Sequence, residues 1–377
     1  MDIYEESLNL HKKNGGKIAT QLKVALENKK DLSLAYSPGV AEVSRAISED
    51  EKVARELTIK KNTVAIVSDG SAILGLGNLG AHAAIPVMEG KAALFKHFAD
   101  VDAFPICVNT QDVDEIVELV KNIAPTFGGI NLEDISAPRC FEVEKRLRGE
   151  LDIPVMHDDQ HGTAVVVLAG LINALKLRGS QKDKIKVVIN GVGAAGVAIT
   201  KILLDWGVVN IVLCDSQGII CHERTGLNDT KVKLMKVTNG GGVCGMLRDA
   251  LEDADVFIGV SVANVLKPEA LQIMNEKPII FALANPEPEI MPNDAKDAGA
   301  FVVATGRSDF PNQVNNVLAF PGIFRGALDN GVVQFKDEMF VDAAYAIAQC
   351  VQNPTVDMVI PDPFDERVPK AVAQVIK

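Results

Sequence analysis

Two acidic pairs, Glu133-Asp134 and Asp158-Asp159, each follow a short apolar run, at 129–131 and 154–156. If those runs are parallel strands, the carboxylates stand at the strand ends, where α/β sheets bind ligands. Three or four such oxygens without thiolate partners suit Mg2+ or Mn2+ rather than zinc. Taken singly, pairs of this kind also cap helices, so the metal reading depends on the two coming together. His157 and His161 flank the second pair and read as supporting or structural groups rather than ligands. Lys91 lies in the mostly apolar segment 88–95. A lysine in apolar company beside a divalent cation should have a depressed pKa, which would let it act as a base. Alone, it would read as a surface lysine with its stem laid along apolar neighbours. Tyr36 precedes Ser37-Pro38-Gly39 and is one of three tyrosines. A packed ring is its plain reading, and nothing local makes it an acid.

A second chemistry is written in Gly191-Val192-Gly193-Ala194-Ala195-Gly196, between the apolar run 184–190 and a helical pattern through Trp206. The first glycine permits a tight turn, the second lets backbone approach a pyrophosphate, and the third allows close helix–strand packing. The helix N-terminus then offers free N–H groups to the phosphates. Asp215 closes the next strand, where an acidic side chain binds an adenine-ribose hydroxyl. Gly75-Leu76-Gly77-Asn78-Leu79-Gly80 matches the same pattern but follows its strand too late, and Asp100 precedes the next strand instead of ending it. That loop suits an approach to substrate or to a neighbouring element.

The elements that must position these groups alternate. Apolar runs at 63–67, 103–108, 129–131 and 154–156 are separated by helical patterns such as 111–120, which has acidic residues in its first turn. Continuous apolar runs at 185–190, 209–214, 256–260, 279–284 and 301–304 follow, as expected of strands buried on both faces. The opening to about Lys61 reads helical with a break at 37–39, and 162–177 reads as one long helix. Strand–helix alternation means mostly parallel sheets, hence an α/β chain of two domains. The predicted boundary is at residue 160, giving a substrate and metal domain over 1–160 and a Rossmann-type, doubly wound dinucleotide domain over 161–377, its core at about 184–311.

A chain of 377 residues with 47% hydrophobic and 23% charged residues has material for large cores. A net charge of −12 argues against nucleic acid, which needs clustered Lys and Arg. The six cysteines show no C-x-x-C pair and no zinc spacing, so buried thiols in a reducing compartment are expected. The polar N-terminus shows no signal-peptide core and no run approaches 18 apolar residues, so a cytoplasmic protein away from membranes is expected.

Together these motifs resemble the malic enzyme family, in particular its short bacterial-type members. The resemblance runs from about Leu10 to the C-terminus and covers 34–40, Asp69-Gly70 through Gly80, 89–91, 131–134, 157–163, the glycine fingerprint, Ala284-Asn285-Pro286 and 313–322. It implies an NAD(P)-dependent, metal-assisted decarboxylase that turns (S)-malate into pyruvate and CO2. By the same resemblance Tyr36 matches the general acid and Lys91 the general base, with Asp158 adjacent to the lysine. Glu133, Asp134 and Asp159 match the metal ligands, and Asn285 with Asn315 or Asn316 match groups that hold malate. Buried amides suit that task because they donate to a carboxylate without adding charge. Residues 316–377 are implied to pack back on the first domain, and a homodimer or a dimer-based homo-oligomer is implied.

Two departures stand out. The larger enzymes carry an acid–arginine pair after the Asp-Gly, and here those positions are Ser71 and Ala72. Arg307 is the candidate replacement for the substrate-gripping arginine. The long N-terminal part of the larger enzymes and an acyltransferase-like C-terminal domain are also missing, so their allosteric behaviour is not expected. A malolactic converter or an oxaloacetate decarboxylase would use the same residues, and the fate of the reduced cofactor separates them. A non-catalytic NAD-binding regulator would have no need of the acid, base and carboxylate set. Asp215, with no Arg or Lys in 216–218, favours NAD over NADP.

Overall fold

Uninterrupted apolar runs become strands buried on both faces, and they form two parallel sheets in a computed structural model that describes residues 2–377. The first sheet holds β1 (Thr63–Ser68), β2 (Asp102–Cys107), β3 (Gly129–Leu132) and β4 (Val155–His157), in the order β2-β1-β3-β4. All its pairs are parallel, with Val64 opposite both Ala103 and Gly129. The second holds β5 (Lys186–Asn190), β6 (Asn210–Asp215), β7 (Gly218–Ile219), β8 (Val256–Gly259), β9 (Ile279–Ala282) and β10 (Val302–Thr305). Its order is β10-β9-β8-β5-β6-β7, parallel except for the short β7. This is the expected α/β architecture, and strand direction of build-up reverses beside β5, where dinucleotides bind.

The helix Asp158–Arg178 joins the two sheets. It starts on the second acidic pair and stops where Gly179 turns left-handed and returns its N–H to Leu175 O. By length and composition it could cross a membrane, which the apolar runs in the sequence had not suggested. Its most apolar window is 72% buried inside the protein, so it serves as a core helix.

After β10 the chain returns to the first sheet. The helix Phe320–Asn330 lies on the helix Ala81–Ala99, with Phe95 edge-on to Phe320 (centroids 4.7 Å apart) and to Phe324 (5.5 Å). The helix Asp337–Gln349 packs against Asp158–Arg178, and Asn173 donates to Ala348 O and Val359 O at 3.0 and 2.9 Å. These contacts place aromatic rings and buried amide bonds between segments 175 or more residues apart in the chain.

The opening segment does form helices, Ile3–Asn14, Lys29–Ala35 and Val40–Glu49, on either side of the Ser37–Gly39 turn. None of them buries a residue. Lys17 donates to Pro86 O (2.6 Å) and Lys23 pairs with Asp102 (3.0 Å), which tether the stretch between the first two helices.

The cysteines depart from expectation. Cys221 and Cys244 form a disulfide across 23 residues, their Cα atoms 5.6 Å apart, while Cys140 and Cys214 are buried thiols. Backbone pairing of Ile219 N with Gly245 O lays the two segments side by side, a proximity no spacing pattern announces.

Candidate active site

The first sheet delivers its acidic residues to one edge. Glu133 and Asp134 follow β3, Asp158 and Asp159 follow β4, and Asp69 follows β1. One carboxylate oxygen from each of Glu133, Asp134 and Asp159 lies within 4.8 Å of the others. Asp134 takes a left-handed backbone (φ 53°), uncommon for a residue with a side chain, and its N–H donates to Asp159 Oδ2 at 2.9 Å. His157, fully buried, stands with Nε2 3.2 Å from the same Asp159 oxygen. Asn131 donates to Glu133 Oε2 at 2.9 Å. These bonds hold three acids together with one oxygen, Asp134 Oδ2, buried and without a hydrogen-bond partner. An orphaned buried oxygen in an all-carboxylate set is what a hard divalent cation such as Mg2+ or Mn2+ fits.

Lys91 comes from the facing helix and is buried. Its ammonium contacts Asp158 directly, lies 3.0 Å from Glu133 Oε1, and sits 4.0 Å from the centre of the Phe320 ring. Asn316 donates to Asp158 Oδ2 (3.1 Å) and accepts from Thr163 Oγ1 (3.1 Å). Gly162, one helical turn after Asp158, leaves the space that the Asp158 carboxylate occupies.

Charge sets the titration of this cluster. Burial works to lower the Lys91 ammonium, but the fields of Asp158 and Glu133 outweigh it and raise it above an ordinary lysine. The depressed value expected beside a cation is a different case: here the fields of three carboxylates, Asp158, Glu133 and Asp159, act on the lysine with no cation to offset them. Burial pushes Glu133 well above the usual carboxylate range and, with Asp159 beside it, pushes Asp134 up to about 7. Burial would raise Asp159 too, yet the His157 hydrogen bond and charge hold it low.

The dinucleotide loop lies after β5. Gly191 has φ 111° and packs against the Val260 carbonyl, Gly196 packs onto the Gly191 carbonyl, and Gly193 faces open space on its Cβ side. Val192, Ala194 and Ala195 complete a loop whose helix begins at Ala194. Asp215 ends β6 as expected, but it is not without cations. Arg224 reaches it at 3.1 Å and Lys231 at 2.7 Å, from nine and sixteen residues away. Burial opposes ionisation of Asp215, and the Lys231 hydrogen bond overrides it, so the carboxyl stays below its ordinary value.

Other residues fall differently. Asn285 is exposed and Asn315 and Asn316 are half-buried, so the expected buried amides are corrected: these positions lie on loops after β9 and β10, at the rim between the sheets. Asn315 caps the turn at Val317 N (3.0 Å). The Gly75–Gly80 loop approaches a neighbouring element, since a Cβ on Gly75 would stand 2.6 Å from Asn285 O. Ser71 bridges Asp69 and the Ser136 N–H (2.9 Å), and Arg139 pairs with Asp69 at 3.1 Å. Arg307 is clamped by Asp309 through two bonds of 2.9 and 2.7 Å. Tyr36 is 70% exposed, and its hydroxyl has no hydrogen-bond partner among the described residues. Phe320 and Gly162 carry parts of the site that residue type alone did not single out, while His157 stands behind Asp159 as a supporting group; a glycine four residues after Asp158 inside a helix was the available signal for one of them.

Comparison with known proteins matches residues 15–148 to the family model for the malic enzyme N-terminal domain and residues 160–366 to that for the malic enzyme NAD binding domain. A bifunctional malic/malolactic enzyme of Bacillus subtilis is 60% identical over 379 residues, covering 100% of this chain and 92% of the relative. An NAD-dependent malic enzyme of Geobacillus stearothermophilus is 56% identical over 364 residues, covering 96% of this chain and 76% of the relative. The solved structure of an NAD-dependent malic enzyme from Thermotoga maritima superposes with a TM-score of 0.96 at 51% identity, covering 100% of this chain and 99% of the other.

Proposed function

The chain belongs to the malic enzyme family, oxidoreductases that decarboxylate malate with a nicotinamide cofactor, and from that membership we propose which of its residues perform each step. The carrying observation is the convergence of Lys91 with Glu133, Asp134, Asp158 and Asp159 at the ends of β3 and β4. We assign residues 1–160 to substrate and metal and 161–377 to the dinucleotide, with 316–377 completing the first part.

Glu133, Asp134 and Asp159 would hold a divalent cation. Bound there, Mg2+ or Mn2+ would supply Lewis acidity toward malate and would offset the carboxylate field around Lys91. Lys91 then takes the C2 hydroxyl proton and passes it toward Asp158, its direct partner. Gly191, Val192, Gly193, Ala194, Ala195 and Gly196 cradle the dinucleotide, which supplies the hydride acceptor. Asn285 and Asn315 donate to malate carboxylate oxygens from the rim. Asn316 is occupied by Asp158 and Thr163 and positions Asp158 instead. Once CO2 has left, Tyr36 protonates C3 of enolpyruvate to give pyruvate.

NAD is the favoured cofactor, because Asp215 would bind ribose hydroxyls. Arg224 and Lys231 give a 2′-phosphate some counter-charge, so NADP is a weaker substitute. A cytoplasmic location fits the four free cysteines, whereas the 221–244 disulfide argues against a reducing compartment. A second reading, malolactic conversion, is favoured by the name of the Bacillus subtilis relative. Steady-state turnover of malate with NAD or NADP, and with Mn2+ or chelator, tests the reading. Reduced cofactor and pyruvate in the presence of metal support it. Lactate without net NADH assigns the second reading, and full turnover in chelator overturns the metal assignment.

A further inference from the structure

Glu289 is wholly buried and belongs to neither the carboxylate centre nor the dinucleotide loop. It follows the exposed stretch 285–287 on the chain leaving β9. One of its carboxylate oxygens accepts from the Ser261 N–H at 2.8 Å and from the Ser261 hydroxyl at 3.3 Å. The other accepts from the Ala284 N–H at 3.0 Å. All of these donors are neutral. Burial pushes the carboxyl above its ordinary value against the pull of those bonds. A carboxylate buried without a cation is costly, so its two oxygens need a task that an apolar side chain could not perform.

The positions of the donors define that task. Ser261 and Ala284 each stand two residues past a strand, β8 and β9 respectively. The Ser261 hydroxyl also accepts from Asn190 at 2.7 Å, and Asn190 ends β5 immediately before Gly191. Ala284 immediately precedes Asn285, the residue assigned to malate. Gly259 makes room for the carboxylate, since a Cβ there would stand 2.4 Å from Cδ of Glu289. One side chain therefore ties together the carboxyl ends of β5, β8 and β9, which are neighbours in the sheet. A doubly wound sheet binds a dinucleotide across its switch point, with one half of the cofactor on either side. Asp215, at the end of β6, marks the adenine side, which leaves β8 and β9 for the nicotinamide half.

We propose that Glu289 is a positioning residue for hydride transfer, which sets the loop after β8, under the nicotinamide, at one fixed separation from the loop after β9, which holds malate. It acts through Ser261 and Ala284 and touches neither reactant. With both loops pinned to one carboxylate, C2 of malate and the nicotinamide ring meet in a single geometry. A carboxylate is required because each loop presents an N–H. A glutamine of the same shape has one acceptor oxygen, and its NH2 group would face the other N–H whichever way the amide turned. The proposal rests on the assignment of the dinucleotide to Gly191–Gly196 and of malate to Asn285, and the experiment keeps these apart.

Glu289→Gln is titrated calorimetrically with NAD and with ADP-ribose, which keeps the adenine half and the pyrophosphate but lacks the nicotinamide ring. ADP-ribose affinity should match wild type. NAD affinity should fall about tenfold, the scale of one hydrogen bond to a charged group. Turnover of malate with Mn2+ should fall about 100-fold in kcat, as for a displacement near one ångström. Gly259→Ala keeps the carboxylate charged but displaces it, so it should give the same pattern, and it decides the matter alone where Glu289→Gln does not fold. A loss of ADP-ribose affinity equal to that of NAD would mean a general loosening of the domain and overturn the proposal. Wild-type kcat in either folded variant would overturn it as well. Unchanged ADP-ribose affinity in Gly193→Val would instead overturn the dinucleotide assignment, and an unchanged KM for malate in Asn285→Ala the malate assignment.

Discussion

Oδ1 of Asp158 occupies the space where a Cβ on Gly162 would stand. A glycine inside a helix costs about 0.5–1 kcal/mol relative to alanine. Here that cost leaves room for the carboxylate to fold back along its own helix toward Lys91. Gly162→Ala should strengthen the helix yet push Asp158 away from the lysine. A displacement near one ångström can cost about 100-fold in rate. Malate turnover should fall steeply while the thermal midpoint stays level or rises, a pair of readings that calorimetry and steady-state kinetics check together. Unchanged kcat would show that Asp158 need not contact Lys91.

Lys91 and Tyr36 act at different stages of the proposed sequence, so their variants should separate. Lys91→Ala should stop both malate oxidation and oxaloacetate reduction by NADH. Tyr36→Phe keeps the ring and removes only the hydroxyl, and loss of a positioned general acid typically costs about 10²–10⁴-fold. Oxaloacetate reduction never uses that proton and should survive much better than pyruvate formation. The ratio of the two rates in each variant is the measurement. Equal loss of both in Tyr36→Phe would make Tyr36 a structural or binding residue.

Gly193 faces open space, and Gly191 and Gly196 pack against backbone carbonyls. Gly193→Val should therefore leave the fold intact and fill the approach to the pyrophosphate. NAD affinity by fluorescence titration should drop at least about tenfold, with metal binding unchanged. Unaltered NAD affinity would turn attention to the Gly75–Gly80 loop.

Glu144 ties His157 and His161 to the first domain. It accepts the His157 N–H at 3.0 Å and lies 2.9 Å from His161 Nε2. Burial would raise its carboxyl, but the two histidines dominate and bring it down from 4.5 to about 2. A carboxylate lowered on folding adds stability that is complete above its unfolded value and is lost as pH falls through the folded one. The window is thus from pH 4.5 down to about 2, with a ceiling of about 3 kcal/mol for the shift. Glu144→Gln should lower the denaturation midpoint at pH 6–7 and flatten the acid limb relative to wild type. Parallel acid limbs would place the acid sensitivity elsewhere.

The strands were readable because both faces are buried: Val187–Ile189 and Ile279–Ala282 leave no polar residue to confuse their limits. The carboxylates were readable as pairs after such runs. The state of Lys91 was not, since its titration depends on three acids, Asp158, Glu133 and Asp159, brought in from distant strand ends. Arg224 and Lys231 escaped for a similar reason, because the turn through β7 carries them back to Asp215. The 221–244 disulfide required two loops to lie side by side, which residue spacing does not encode.

Phe320 over Lys91, and Asn316 on Asp158, also fix a time order. A ribosome releases the first sheet long before it has made the segment that closes it. Until residue 320 emerges, Phe95 lacks the rings it packs against and Lys91 lacks its aromatic lid. The dinucleotide domain, in contrast, has all its strands by residue 305. The nascent protein therefore becomes able to grip its cofactor before it can act on its substrate, and chains cut short before residue 316 should sequester NAD without turning over malate.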